Sequence, residues 1–213
     1  MRTRFSFICL LVFALPAFAA IVDRTAVTVG TKVITESEIL RRIRLAAFQN
    51  GLQPDFSEAS RQATAQRLID LKLVEREMDL GHYARTTPER AKALVDAFTA
   101  EHFRSSAEAL RLALAVIHLT PMDLQDEFAE QEDLLSFTAL RFRPAVEIAD
   151  PQIEEYFHSH VESRTTANPV ALADVRASIE QILIGERADQ DLYAWLLDQR
   201  TRGRIVYLEK ELQ

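Results

Sequence analysis

Apolar residues recur every three or four positions through the middle of the chain, a pattern typical of amphipathic helices. Most of the predicted helices start at a threonine or serine, whose side chain can accept a hydrogen bond from a free backbone N–H of the first turn. Thr35 with Glu38, and Ser105 with Glu108, have the spacing of a capping box. The pattern predicts seven helices, which begin at or near Thr35, Ser57, Thr87, Ser105, Thr120, Asp150 and Val170.

The helix that begins at Thr120 is predicted to be long and to end before Pro144. The residues assigned to its apolar face are Leu124, Phe128, Leu135 and Phe142. The last helix is longer still, and we expect Gly203 to end it in the left-handed conformation that glycine adopts easily.

The two ends of the chain have a β pattern instead. Residues 21–34 alternate around a turn at Gly30-Thr31-Lys32, and residues 204–208 form a short β-branched and aromatic run. An isolated hairpin is barely stable, so the last strand is expected to pair with the N-terminal hairpin. The sequence therefore predicts a mainly α fold, in which a multi-helix cradle carries a small sheet built from both ends.

The first residues have the pattern of a secretory signal peptide. Arg2 and Arg4 precede an apolar run over residues 5–15, and small residues follow it. We expect cleavage near Ala19 and delivery to the periplasm. The run is too short to span a membrane, so no stable membrane anchor is expected. Cleavage would also remove Cys9, the only cysteine, and with it any disulfide or thiolate chemistry.

Composition and residue spacing exclude several classes of function. The chain of 213 residues has a net charge of −7 and a pI near 5.3, which argues against a nucleic-acid partner. Its five glycines leave little room for phosphate-binding loops. His158 and His160 are two positions apart, so on a helix they point to different faces and make a poor metal pair. The sequence thus indicates no catalytic residue, no cofactor and no metal.

Several short stretches, in their order and spacing, resemble the survival protein A family of periplasmic chaperones. The first contains Ile21-Val22-Asp23-Arg24 and Val33-Ile34-Thr35-Glu36-Ser37-Glu38, similar to the start of the mature family members. The others are residues 66–73, 141–146, 150–156 and 175–208.

The resemblance implies a domain organisation. Residues 1–19 would be the signal peptide, and residues 20–157 the chaperone core with the hairpin and most helices. Residues 158–169 form a polar linker at the place where relatives carry a parvulin-type prolyl isomerase domain. Residues 170–213 would complete the core with the long helix and last strand. Because the insertion is absent, no isomerase active-site residue can be assigned.

The resemblance further implies an exported, ATP-independent holdase for unfolded, aromatic-rich envelope or outer-membrane proteins. Two alternatives are a prolyl isomerase-related protein with a non-standard site and an adaptor for one envelope partner. Because the terminal elements pair non-locally, exchange of these elements between two copies could form a homodimer. The residues proposed to line a client-binding groove are Phe103, Phe137, Phe142 and Phe157.

Overall fold

The computed structural model describes residues 23–161 and 170–212. The predicted signal peptide and linker residues 162–169 lie outside them. Within these ranges the chain forms three strands and seven α-helices, joined by short 3-10 and π turns. The strands are β1 (Thr25–Val29), β2 (Lys32–Thr35) and β3 (Ile205–Tyr207). The helices are α1 (Glu36–Gln49), α2 (Glu58–Leu80), α3 (Pro88–Phe103), α4 (Ala107–Val116), α5 (Pro121–Arg141), α6 (Asp150–Tyr156) and α7 (Leu172–Arg202).

The two ends of the described chain meet in one antiparallel sheet with the strand order β2-β1-β3. Val27 is the central position, since it lies opposite Ile34 on β2 and opposite Tyr207 on β3. Gly30 makes the hairpin turn with a φ of +61°, in the region that favours glycine. The predicted mainly α fold with a small sheet of both ends is confirmed, and β3 pairs with β1 of its own chain.

One face of this sheet packs on α1 and α2. The shared core contains buried residues from β1, β2, α1 and α2, and also Leu212 from the last turn. Thr35 caps α1 by accepting a hydrogen bond from the Glu38 backbone N–H at 3.2 Å. The Glu38 carboxylate lies 3.3 Å from the Lys72 ammonium, which ties the start of α1 to α2.

Helix α5 crosses the molecule between α2, α3 and α7. It begins with a complete capping box, in which Thr120 and Asp123 each accept a hydrogen bond from the other's backbone N–H. The predicted apolar face of this helix is partly wrong. Leu135 is 66% exposed, whereas Phe137, two positions later, is completely buried. The cause is tertiary, because α7 packs on the side of α5 that carries Phe137.

Helix α6 packs on the first part of α7 through Ile153, Phe157 and Ile179. After α6 the chain forms a π-helical turn, Phe157–Val161, so the predicted linker begins with helical structure. Helix α7 then runs for 31 residues back towards the sheet. None of the helices in the described ranges contains an apolar stretch long enough to cross a membrane.

Gly203 ends α7 as predicted, but its conformation was predicted wrongly. Its φ of −77° and ψ of 143° are extended, not left-handed. A Cβ atom at this position would lie 2.8 Å from the Gln199 carbonyl oxygen. Glycine is therefore required by close backbone approach rather than by a positive φ.

The predicted start of α4 is wrong by one residue. Ser106 is the N-cap, since its hydroxyl accepts a hydrogen bond from the Ala109 backbone N–H at 3.2 Å. Ser105 instead has a φ of +62°, because the chain reverses between α3 and α4. The Glu108 carboxylate does not accept the predicted hydrogen bond from the backbone N–H of the cap residue. It accepts hydrogen bonds from the Arg111 guanidinium instead.

This one-residue difference gives a stability prediction. Ser106→Ala removes the cap acceptor and should lower the free energy of unfolding by about 1 kcal/mol. Ser105→Ala, the matched control, should change it by less than about 0.5 kcal/mol. Urea denaturation followed by circular dichroism measures both. An equal loss in the two variants would contradict the assignment of Ser106 as the cap.

Candidate functional site

An apolar hollow of about 380 Å³ lies where α1, α2, α5 and α7 meet. We call it the leucine groove. Its floor is aliphatic: α2 and α7 turn residues three or four positions apart towards it, and α5 adds one leucine. The floor residues are Leu68, Leu71, Val74, Leu134, Leu192 and Leu196. Apart from the buried Leu68 and Val74, these side chains are half-buried, so part of their surface is open to an incoming molecule.

One wall of the leucine groove is a buried ion-pair network between α1 and α5. The Arg42 guanidinium contacts the carboxylates of Glu127 and Glu130. The Arg42 and Glu127 side chains are only 12% and 7% exposed. Burial acts to lower the pKa of Arg42, but the two carboxylates outweigh it and hold that pKa above its usual range. Gln131 adds a hydrogen bond to Glu127 at 2.7 Å.

The opposite wall joins α7 to α2. Arg200 donates a hydrogen bond to the Asp70 carboxylate at 2.7 Å and another to the Gln66 carbonyl oxygen at 2.8 Å. The hydrogen bond to Asp70 raises the pKa of Arg200 above its usual range. The charges of Arg42 and Asp70 are therefore already paired within the protein, while the exposed Arg67 also lines the groove. The leucine groove therefore has an apolar floor between two walls that carry polar side chains.

A second cavity of about 480 Å³ lies where α1 ends, beside the end of α3. We call it the phenylalanine pocket, because Phe48, Phe98 and Phe103 form its aromatic lining. The rings of Phe48 and Phe103 are stacked with centroids 6.0 Å apart, and Phe98 lies 5.9 Å from Phe48. The remaining lining residues are Gln49, Asn50, Gly51, Leu52, Gln53, Pro54, His102 and Ile117. The lining contains no lysine, arginine, aspartate or glutamate.

The leucine groove and the phenylalanine pocket meet at Gln49 and Asn50, which line both. The Gln49 side-chain oxygen accepts a hydrogen bond from Gln131 at 3.1 Å. Its amide nitrogen is buried and, within the described part of the chain, has no hydrogen-bond partner. A buried donor left unpaired costs about 1–3 kcal/mol.

The four phenylalanines predicted to line a groove occupy different places. Phe103 is half-buried and lines the phenylalanine pocket. Phe142 is half-buried and packs on Phe137 and Trp195.

Phe137 and Phe157 were predicted wrongly as groove residues. Phe137 is completely enclosed by residues of α2, α5 and α7, and Phe157 is 7% exposed where α6 and the turn after it pack on α7. The side chains that pack on α7 cannot be identified from the sequence of α5, or from that of α6 and the turn after it, and this explains both errors.

The residues that build the leucine groove were not predicted as a site. A signal was present on α1, where Arg42 and Gln49 are polar residues on a helix with a strong apolar stripe. Their burial depends on α5, which begins more than seventy residues later.

His158 and His160, in the π-helical turn, make no metal cluster. The His160 ring stacks on Tyr156 with centroids 4.3 Å apart. Among residues 23–161 and 170–212, no three His, Cys, Asp or Glu side chains are grouped as a metal site requires.

Neither a protein-family model nor a curated protein matches this sequence. The likeness to the survival protein A family therefore depends on the short stretches named above, in their order along the chain.

Proposed function

We propose that the protein is an exported, ATP-independent chaperone of the survival protein A type, which holds unfolded outer-membrane or other envelope proteins in the periplasm. The observation that carries the proposal is the leucine groove. Apolar surface that stays open between four helices usually marks a binding site, because a folded protein gains by covering it. The floor is aliphatic and the Arg42 and Asp70 charges are paired, so the groove is suited mainly to an apolar segment.

The groove supports a mechanism that needs no nucleotide. An apolar client segment gains free energy from the water-exposed area that it covers, at about 25 cal/mol per Å². A shallow groove covers little area, and the loss of client freedom opposes binding. The complex would therefore be weak enough to release the client spontaneously. The net negative charge, −7 for the whole chain and −9 once the predicted cleavage removes Arg2 and Arg4, would keep both chaperone and complex in solution.

Two further features support the proposal. The N-terminal residues have a signal-peptide pattern, which suits a periplasmic protein. The pairing of the chain ends beneath a helical cradle agrees with the arrangement that the family resemblance implies. The proposal includes no prolyl isomerase step.

Aggregation of an unfolded outer-membrane protein, followed by light scattering, tests the proposal. Stoichiometric amounts of the mature protein should suppress aggregation. Asn50→Trp places a large ring at the exposed junction of both cavities, and roughly tenfold more of this variant should be needed. Leu80→Trp is the matched control, because Leu80 is 70% exposed and lines neither cavity. It should act like the wild-type protein.

No suppression by the wild-type protein at large excess would refute the proposal. Equal activity of Asn50→Trp would show that the clients bind elsewhere. Capture of one stoichiometric protein from the envelope fraction, in place of many porin-like proteins, would favour the adaptor alternative.

A further inference from the structure

We infer, building on the proposed function, that the leucine groove selects client segments in which a run of aliphatic residues lies next to an acidic residue. The aliphatic side chains cover the floor of the groove, and the carboxylate binds the Arg67 guanidinium. Arg67 is then a residue that determines client specificity. The partner is a polypeptide segment with two chemical properties, an apolar stretch and an adjacent negative charge.

Arg67 brings a positive charge to the leucine groove from α2, and the residue is exposed. Among the described residues, no carboxylate lies at ion-pair distance from its guanidinium. The guanidinium can therefore pair with an anion on a bound molecule. Since Leu68 follows Arg67 directly and Leu71 lies one turn later, that anion would be held beside the apolar floor.

The other charges of the leucine groove favour an anion on the α2 side. Asp70 lies three positions after Arg67 on α2, but its carboxylate already accepts a hydrogen bond from Arg200 at 2.7 Å. This side therefore has two arginines and one aspartate. The α1–α5 wall has the opposite balance, because Arg42 contacts two glutamates there. A carboxylate on the client is attracted to the first side and repelled from the second.

The aliphatic floor specifies the rest of the segment. All of the apolar side chains that line the leucine groove are aliphatic. From Arg67 to Val74 the groove follows α2 for about 10 Å, at 1.5 Å per residue. An extended chain advances about 3.3 Å per residue, so a run of about three aliphatic client residues covers this length. An acidic residue directly before or after that run reaches Arg67.

The exposure of Arg67 determines the size of the expected effect. Water and salt weaken an ion pair at an exposed site, so such a pair adds only modestly to affinity. We expect a segment with glutamate to bind about 2- to 5-fold more tightly than the same segment with glutamine. Most of the affinity comes from the aliphatic side chains, because they cover the apolar floor.

Peptide titrations followed by the leucine methyl signals in NMR spectra test the inference. Each peptide is acetylated and amidated, and has the run Leu-Val-Leu between serines, with glutamate, glutamine or lysine directly before or after the run. At about 0.15 M salt, the better glutamate peptide should bind about 2- to 5-fold more tightly than its glutamine version, and the lysine version most weakly. The signals of Leu71, Leu192 and Leu196 should shift, and that of Leu80, outside the groove, should not.

Variants of Arg67 test its role. Arg67→Gln should remove the difference between the glutamate and glutamine peptides, and Arg67→Glu should make the lysine peptide the tightest. Arg204→Gln is the matched control and should keep the wild-type preference. Arg204 is also exposed, has no acidic partner among the described residues and does not line the leucine groove. Circular dichroism establishes that the variants are folded.

Salt separates the two contributions to binding. At about 1 M salt the preference for glutamate should disappear, since charges are then screened beyond about 3 Å. Binding that depends on the leucines should remain. A glutamate preference that persists at this salt concentration, or in Arg67→Gln, would overturn the role of Arg67. Binding of dodecanoate without binding of any peptide would overturn the polypeptide as the occupant.

The outcomes also separate the inference from the proposed function. If the wild-type protein suppresses aggregation but binds the glutamate and glutamine peptides equally, the inference fails and the chaperone function stands. If the glutamate preference depends on Arg67 but the protein does not suppress aggregation, the specificity of the leucine groove stands and the chaperone function is refuted.

Discussion

Replacing Phe137 by alanine should lower the free energy of unfolding by about 3–5 kcal/mol. Phe137 is completely buried and lies at the centre of an aromatic cluster on α5. Its ring centroid is 5.3 Å from that of Tyr83 and 5.4 Å from that of Trp195. The rigid neighbours from α2, α5 and α7 cannot collapse into the space, so both the buried contacts and a cavity contribute to the loss.

The same variant should loosen α7. Trp195, the only tryptophan, lies on that helix and contacts Phe137, so its emission should shift to longer wavelength as water enters the contact. Leu135→Ala is the matched control, because Leu135 is two residues away on the same helix but 66% exposed. It should change stability by less than about 0.5 kcal/mol. Similar losses of stability in both variants would show that Phe137 is not the side chain of α5 that packs on α7.

The local features of the fold could be predicted from sequence, since they depend on residues that are close along the chain. Thr35, Thr87 and Thr120 cap their helices as predicted, because a cap needs only its own first turn. The reciprocal bond predicted from Glu38 to the Thr35 backbone is not formed, since the Glu38 carboxylate binds Lys72. The pairing of the chain ends could also be predicted, although it is non-local. The N-terminal hairpin needed a third strand, and residues 204–208 were the β-type run at the other end of the chain.

The side of each helix that faces its neighbours could not be predicted in the same way. Leu135 and Phe137 are both apolar, and only the position of α7 decides which one is buried. The error at Ser105 has a different origin, because two adjacent serines can both cap and the reversal after α3 selects the second. At Gly203 we expected the left-handed conformation that a glycine at a helix end commonly adopts. The structure instead requires glycine because a Cβ atom would lie too close to the Gln199 carbonyl oxygen.

The candidate site, too, depends largely on contacts between helices that are distant in sequence. Phe103 does line a cavity, since an aromatic residue at a helix end is often only partly covered, while its role in client binding stays a prediction. The leucine groove and the Gln49 junction depend on helices that are distant in sequence. From sequence alone, polar residues such as Arg42 and Gln49 are predicted to face solvent. Only the position of α5 in the fold shows that they are partly covered.

The position of Arg42 links the stability of the fold to the shape of the groove. Its guanidinium joins α1 to α5 at the wall of the leucine groove, and its side chain is 12% exposed. A buried charge is tolerated only when it is paired, so the two helices are held in a register that keeps Arg42 opposite Glu127. Because this ion pair is directional, we expect it to fix the register of α1 against α5 more closely than an apolar contact would.

Arg42→Met should lower the free energy of unfolding by about 3–5 kcal/mol, because it leaves the buried Glu127 carboxylate without its main partner. Arg41→Met is the matched control on the same helix. Arg41 is 36% exposed and lies 3.3 Å from Asp123, so its loss should cost no more than about 1 kcal/mol. Urea denaturation of both variants measures the difference, and equal losses would contradict a buried network.

The double variant Arg42→Met with Glu127→Met separates the cost of an unpaired charge from the value of the ion pair. Once both buried charges are gone, most of the lost stability should return, because apolar residues of similar size fill the space without a desolvation cost. Groove function should recover less than stability, since the methionines no longer fix the register of α1 against α5. Full recovery of aggregation suppression in the double variant would show that the groove does not depend on that register.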